Sequence, residues 1–331
     1  MRAAWYEEQG PAAEVLRVGE LPDPVPGPGE VRIRVTVSGV NPGDTKKRGG
    51  WLGSAMPYPR VIPQSDAAGV VDATGEGVDA SRAGERVWVY GAQSYRPFGT
   101  AAQYTVVPAR QAVPLPAHVG DDLGACLGIP GITAHRAVFA DGPIDGATVL
   151  VHGVLGSVGS LAAQLARWAG ATVLGTVVRT GDLAGVDPAV VHHAVALDAS
   201  GPKEAAAALR ARAPGGRIHR IVEVSLSDNA ALDAAVADNG TVIAAYATRS
   251  DPAALPFWEL LFNNVTLRLL GSDDFPPDAV RLAARDLTSA AATGVLRVPV
   301  RDHFPLERIA RAHEAVDTGG RGRILITLQH S

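Results

Sequence analysis

Residues 149–170 read VLVHGVLGSVGSLAAQLARWAG, and this stretch restricts the fold more than any other part of the chain. Val149-Leu150-Val151 is the short apolar run of a buried strand. Gly153, Gly156 and Gly159 then punctuate a turn. Beyond it Val158, Leu161, Ala162, Leu165, Trp168 and Ala169 recur at helical spacing, so one helix face is apolar. In a strand–turn–helix of this kind the first glycine permits a sharp turn. The second lets the backbone approach a pyrophosphate, and the third lets helix and strand pack closely. The helix N-terminus adds free N–H groups and the positive end of its dipole. In a chain with 37 glycines the triplet alone is weak. The strand before it and the amphipathic helix after it make it specific.

The surrounding pattern fits. Before residue 145 the chain is rich in short strands and turns: Val31–Val37 alternates apolar and polar, and Ala67–Thr74 and Arg86–Tyr90 read as further strands. The proline-rich segment 22–29 cannot be helical. Afterwards strands are expected at Thr148–His152, Ala171–Val178, Ala194–Leu197, Arg217–Val224, Thr241–Tyr246 and Val265–Leu270. Helices are expected at Ser157–Ala169, Lys203–Arg212 and Asn229–Asp238. Six strands with crossovers give an α/β, doubly wound parallel sheet of the Rossmann type. A helix near Pro277–Ala292 and a strand near Arg323–Leu328 follow.

Bulk properties narrow the function. A net charge of −4, without a basic stripe, gives nothing to recruit nucleic acid. No run of about 18 apolar residues marks a membrane span. The N-terminus lacks the apolar core of a signal peptide, and one cysteine, Cys126, excludes an internal disulfide. A cytoplasmic protein is expected.

The second strand of the Rossmann pattern carries Thr176, a further candidate cofactor contact, and ends without an acid. Arg179 stands there instead. A carboxylate at that place bonds the ribose 2′-OH of NADH, whereas a guanidinium pairs with the 2′-phosphate of NADPH. NADPH is therefore expected. The competing reading is a solvated loop cation, and Asp182 nearby weighs slightly on that side.

Several further segments carry a resemblance. They are Gly39-Val40-Asn41-Pro42-Gly43-Asp44, Ser65-Asp66-Ala67-Ala68-Gly69-Val70, Ala83-Gly84-Glu85-Arg86-Val87, Gly128-Ile129-Pro130-Gly131-Ile132-Thr133-Ala134, the glycine turn itself, and Pro305-Leu306 with Ala312-His313-Glu314. In this order the chain resembles the zinc-independent medium-chain dehydrogenase/reductase superfamily, in its quinone oxidoreductase, zeta-crystallin-like, branch. The resemblance implies a GroES-like, β-rich substrate domain over 1–127, completed by 272–331, and a Rossmann domain over 128–271. It implies NADPH-dependent hydride transfer to a quinone or other conjugated carbonyl. An enoyl or enone reductase is the nearest alternative, and a non-catalytic NADPH-binding protein the more distant one.

The resemblance also nominates residues. Asn41 is placed near the nicotinamide ribose and the substrate carbonyl. Lys46 stands where many relatives have Tyr, either as a proton donor or as one of a solvated run of three cations. Thr133 falls at the nicotinamide end. Gly153, Leu155, Gly156, Ser157, Val158 and Gly159 form the pyrophosphate turn. Glu223 and Val224 fall beside the ribose or adenosine edge, and Ala245 stands where the family often has glycine. Asp198 replaces a Tyr near the adenine, and Arg323 matches a Lys that reaches the cofactor. Zinc-dependent relatives place Cys at the position of Asn41 and Gly-His-Glu along Gln64-Ser65-Asp66. None of those residues is present, so no metal is expected. Trp51, Tyr58, Tyr95, Phe98, Trp258 and Phe275 are candidates for a substrate cleft, or else core or contact residues. Finally, Val265, Leu267 and Leu269 alternate with Thr266 and Arg268, the pattern of an edge strand. In the family this strand resembles one that pairs with its twin in a homodimer.

Overall fold

The computed structural model describes residues 1–199 and 201–329. Its strands in chain order are β1 (Arg2–Trp5), β2 (Arg17–Glu20), β3 (Glu30–Val40), β4 (Asp66–Thr74), β5 (Arg86–Val89), β6 (Tyr104–Pro108), β7 (Ala112–Pro114), β8 (Thr148–Val151), β9 (Thr172–Val177), β10 (His193–Ala196), β11 (Arg220–Glu223), β12 (Val242–Ala245), β13 (Thr266–Leu269), β14 (Val300–Pro305) and β15 (Arg323–Thr327). The helices are α1 (Ala12–Val15), α2 (Pro42–Gly49), α3 (Asp121–Gly124), α4 (Ile132–Phe139), α5 (Ser157–Trp168), α6 (Pro202–Arg210), α7 (Leu226–Val236), α8 (Phe257–Phe262), α9 (Pro277–Ala292) and α10 (Ile309–Asp317). The chain divides into two compact units, Met1–Ile129 with the stretch from Ala284 onward, and Pro130–Ala283.

The first unit is built on β3. Val31, Ile33, Val35 and Val37 are buried on one face while Arg32, Arg34 and Thr36 stay half-exposed. From Val37 onward every residue is buried, because neighbouring elements cover both faces. Gly39 is one reason they can: a Cβ there would lie 2.4 Å from the Ala125 carbonyl oxygen. The sheet runs β14-β15-β3-β4-β5-β7, with β6 also on β3. β15, from near the end of the chain, pairs antiparallel with the last residues of β3.

In the second unit the parallel sheet has the order β10-β9-β8-β11-β12-β13. This is the doubly wound order, with the switch of direction between β8 and β11. Its core holds Leu150, Leu174, Ile221 and Ile243, all at most 1% exposed. Short, fully buried strands need no alternation, which is why they read as continuous apolar runs. At one flank the Arg220 guanidinium is buried against the carbonyls of Val138, Asp141 and Gly142. Arg268 clamps the Asp141 carboxylate from β13.

Two helices, α6 and α7, differ from expectation at both ends, and α5 ends one residue early. α7 starts at Leu226 rather than Asn229, because Ser225 ends the extended backbone and its hydroxyl donates to Asp228 at 2.7 Å. It stops at Val236, since Asp238 leaves the helix to accept from the Ile218 N–H and from Arg210. α6 spans Pro202–Arg210 rather than Lys203–Arg212, with proline at its first position, where the missing N–H costs nothing.

Replacing Ile221 by Ala on the central strand is expected to lower stability by about 2–5 kcal/mol. Val178→Ala, at a 67% exposed position, is expected to change it by less than about 0.5 kcal/mol. Denaturant melts of the two variants check the contrast.

Candidate active site

The glycine turn of the second unit follows β8. Gly153 has φ +62°, in the left-handed region, and its carbonyl accepts the Gly156 N–H at 2.8 Å. A Cβ on Gly159 would lie 2.3 Å from that same carbonyl oxygen, so only glycine allows α5 to pack here. On β9, a Cβ on Gly175 would lie 2.5 Å from Val154, which closes the turn from the other side. Gly156 is exposed and occupies the N-cap of α5, and no side chain among the described residues caps the helix. The first-turn N–H groups beside Ser157 and Val158 are thus open to an anion. Leu155, Ser157 and Val158 are half-buried around them. A pyrophosphate fits this cradle by the chemistry of its donors.

Thr176 on β9 is buried, and its hydroxyl accepts the Gly153 N–H at 3.3 Å. The structure therefore places it behind the turn, not on its open face. Arg179 follows β9 and is exposed; no hydrogen bond or ion pair holds its side chain among the described residues. Asp198 accepts both the Thr180 N–H and the Thr180 hydroxyl at 2.9 Å, so it fixes the loop that carries Arg179. Val224 is half-buried, Ala245 is 3% exposed and Thr133, on α4, 4%.

Glu223 does not face outward. It is fully buried, accepting from Asn229 Nδ2 at 3.0 Å and from the Ser225 N–H. Its other oxygen lies 3.6 Å from His152 Nε2. That nitrogen is 2.9 Å from Asp233 Oδ1, and Nδ1 is 3.0 Å from the Thr176 hydroxyl. Burial raises Glu223 to about 7, with Asp233 adding to the effect and His152 opposing it. Burial opposes protonation of His152, but Asp233 and Glu223 outweigh it and raise the imidazole. Potential metal-ligand atoms of these three residues lie within 4.8 Å of one another. The sequence offered no sign of this group, since His152 and Asp233 are 81 residues apart.

The first unit holds a second buried group. Asn41 ends β3 and starts α2, and its backbone N–H donates to Asp44 at 2.7 Å. Its Nδ2 donates to Asp66 at 2.7 Å and its Oδ1 accepts from Arg323 at 2.9 Å. Asp66 also accepts the Ile129 N–H at 2.9 Å, and Gly128 must be glycine because a Cβ would lie 2.0 Å from Asp66 Oδ1. Burial raises the Asp66 carboxyl to about 7, against the pull of Asn41, the Ile129 N–H and Arg323. Arg323 is 4% exposed, and burial pushes the Cys126 thiol up while the Arg323 charge pulls it down. Lys46, by contrast, is exposed, with its ammonium 4.4 Å from the centre of the Trp51 ring. The run Lys46-Lys47-Arg48 is not uniformly solvated: Lys47 bonds Gln93, and buried Arg48 pairs with Asp317 at 2.7 Å. Of the candidate aromatics, Trp51, Tyr95, Phe98 and Trp258 are substantially exposed.

Comparison with known proteins places the chain in a family. The family model described as the alcohol dehydrogenase GroES-like domain matches residues 27–117. Quinone oxidoreductase of Lama guanicoe is 30% identical, over 99% of this chain and 98% of that protein. The Mus musculus quinone oxidoreductase is 31% identical over 98% and 96%. The chain belongs to the quinone oxidoreductase branch of the medium-chain dehydrogenase/reductase superfamily. An alcohol dehydrogenase superfamily protein from Novosphingobium aromaticivorans superposes with a TM-score of 0.86 at 26% identity, covering 99% of this chain and 100% of that one. A mycobacterial protein solved in complex with NADPH has the same fold, with a TM-score of 0.83 at 24% identity and 99% of each chain covered.

For this quinone oxidoreductase relative, the buried carboxyl beside Asn41 has a measurable consequence. Native Asp66 holds its proton more tightly than an unfolded aspartate, so between its ordinary pKa and about 7 the native state binds more protons. Stability is then fullest below the unfolded pKa and falls as pH rises through that window. Asp66→Asn is expected to flatten this slope, as measured by denaturant unfolding at a series of pH values. An unchanged slope would place the titration elsewhere.

Proposed function

We propose that the protein is an NADPH-dependent reductase that delivers hydride to a quinone or another conjugated carbonyl without a metal ion. The observation that carries this reading is the uncapped glycine turn before α5 together with an exposed Arg179 just beyond β9 that has no partner among the described residues. A guanidinium there suits a 2′-phosphate, where a carboxylate would repel it. Thr133, Val224 and Ala245 are assigned to the same cofactor. Bound there, the reduced nicotinamide supplies the hydride.

The residues' own work is to hold donors. A quinone or enone accepts hydride at carbon while negative charge grows on oxygen, which needs a hydrogen-bond donor or a proton more than a Lewis acid. Asn41 is fixed by Asp66 and Arg323, the pre-organisation such a donor requires. Lys46, exposed beside Trp51, is assigned to stabilise the enolate or hydroquinone anion, whose proton comes from it or from water. Both amide atoms of Asn41 are engaged and the Arg323 guanidinium lies 2.9 Å from its oxygen, surroundings that disfavour a dication. A lone buried Cys126 fits the reducing cytoplasm.

The deciding assay is NADPH oxidation against a panel of quinones and enones, with NADH in parallel and a chelator in a third series. Turnover with quinones that survives chelation is expected. Preference for enones would favour the enoyl or enone reductase reading. Tight NADPH binding with no acceptor reduced would favour a non-catalytic role. Arg179→Ala is expected to weaken NADPH by about 1–3 kcal/mol while leaving NADH nearly unchanged. Equal losses for both nucleotides would exclude Arg179 as the reader of the phosphate.

A homodimer through β13 belongs to the same proposal. β13 closes one edge of its sheet. Around it Phe262 is 74% exposed and Leu269 71%, with Phe257, Trp258 and Leu261 also open. An apolar edge of this kind is unfavourable unless paired, and an isologous contact covers both copies. The Thr266 and Leu270 N–H groups bond inward to Thr241 and Ala245, so by alternation the Leu267 N–H points outward. Leu267→Pro is expected to give a monomer with an intact sheet, and light scattering should show twice the monomer mass for the unaltered protein. A monomer at micromolar concentration would reject the dimer.

A further inference from the structure

The His152–Asp233–Glu223 group is built into the floor of the glycine turn. The turn hangs from it by a continuous chain: the Gly153 N–H donates to the Thr176 hydroxyl, which bonds His152 Nδ1, whose Nε2 bonds Asp233. Two buried oxygens in this group, Glu223 Oε2 and Asp233 Oδ2, have no hydrogen-bond partner among the described residues. Two ionised carboxylates and a neutral imidazole would leave both lone and a double negative charge in the core. One proton held among the three residues removes one of the two negative charges, whether it sits on His152 as imidazolium or on Glu223 as carboxylic acid. Both arrangements have a net charge of −1, and the titration belongs to the group rather than to one member.

We propose that this shared proton makes His152, Asp233 and Glu223 a positioning group for the cofactor turn, holding Gly153 in place and keeping the charge beneath the pyrophosphate low. The inference rests on the nicotinamide-cofactor reading given above. The charged and titratable groups facing this floor are the three residues themselves, from the ends of β8 and β11 and from α7, and Tyr246 after β12, whose phenol burial and Glu223 push upward. Thr176 and Asn229 face it as neutral partners. Losing the proton adds one negative charge behind the turn that would hold the phosphates, and that charge would oppose them. Cofactor affinity should therefore fall as pH rises through the titration of the group, near 7 for Glu223.

The test uses the full-length protein and its Glu223→Gln variant, which keeps the shape and mimics the protonated state. Dissociation constants for NADPH and NADH are measured by calorimetry between about pH 6 and about pH 8.5. The wild type is expected to weaken about tenfold for both nucleotides across this range, while Glu223→Gln keeps its acid-side affinity throughout. Both nucleotides are needed because the 2′-phosphate of NADPH titrates near pH 6 on its own, whereas the pyrophosphate is common to both. A flat NADH affinity in the wild type, or a variant that follows the wild-type slope, overturns the proposal. If the variant does not fold, NMR of the wild type decides: the His152 ring nitrogens and the Glu223 carboxyl carbon should titrate together in one step, and independent titrations overturn it. Stoichiometric metal released by His152→Asn would overturn it as well. Failure of either nucleotide to bind at any pH would remove the cofactor reading and this inference together, whereas intact but pH-independent binding removes the inference alone.

Discussion

The structure of the second unit depends on one close approach, the packing of α5 onto the carbonyl of Gly153. The missing Cβ of Gly159 sets that distance, since the atom would sit 2.3 Å from the oxygen. With the helix this near the strand end, its unpaired N–H groups converge at the point where the sheet changes direction between β8 and β11. β9 then delivers Arg179 beside the same edge, and Asp198 steadies that loop by capping Thr180. A larger residue at 159 would displace the helix and with it every donor the turn offers.

The first unit solves a different problem, how to hold one amide still. Asn41 has a buried carboxyl on one side and a buried guanidinium on the other. Burial costs each of these charges heavily unless it is paired, so the three side chains stabilise one another only as a set. The same logic appears in the second unit, where Glu223, Asp233 and His152 share the burden. In both units a carboxyl raised towards neutrality lies directly behind a residue assigned to the cofactor or substrate.

Much of the second unit was legible because its strands are short apolar runs and α5 has a clear apolar stripe. α2 was not legible from periodicity. It carries Asp44, Lys46, Lys47 and Arg48, two of them buried through polar partners, and its local signals lie in its caps: Asn41 with Asp44, proline at the first helical position, and Gly50 after the last turn. β14, Val300–Pro305, shows no alternation because most of it stays exposed. The candidate turn residues could be named because the chemistry is local. The partners that orient them could not: Arg323 lies 282 residues from Asn41, and Asp233 81 from His152. Only the folded chain reveals that Arg323 meets Asn41, that Thr176 stands behind the turn, and that Glu223 points inward.

The placement of β15 governs the order of assembly. The strand inserts between β14 and β3 and carries the arginine that holds Asn41. During synthesis β3 is made before the second unit and β15 after it. The second unit can therefore close on its own local contacts, while the sheet of the first waits with an open seam beside β3. Until β15 fills that seam the Asn41 amide has no guanidinium to orient it. The nascent chain thus completes its glycine turn before the Asn41 amide is held on both sides.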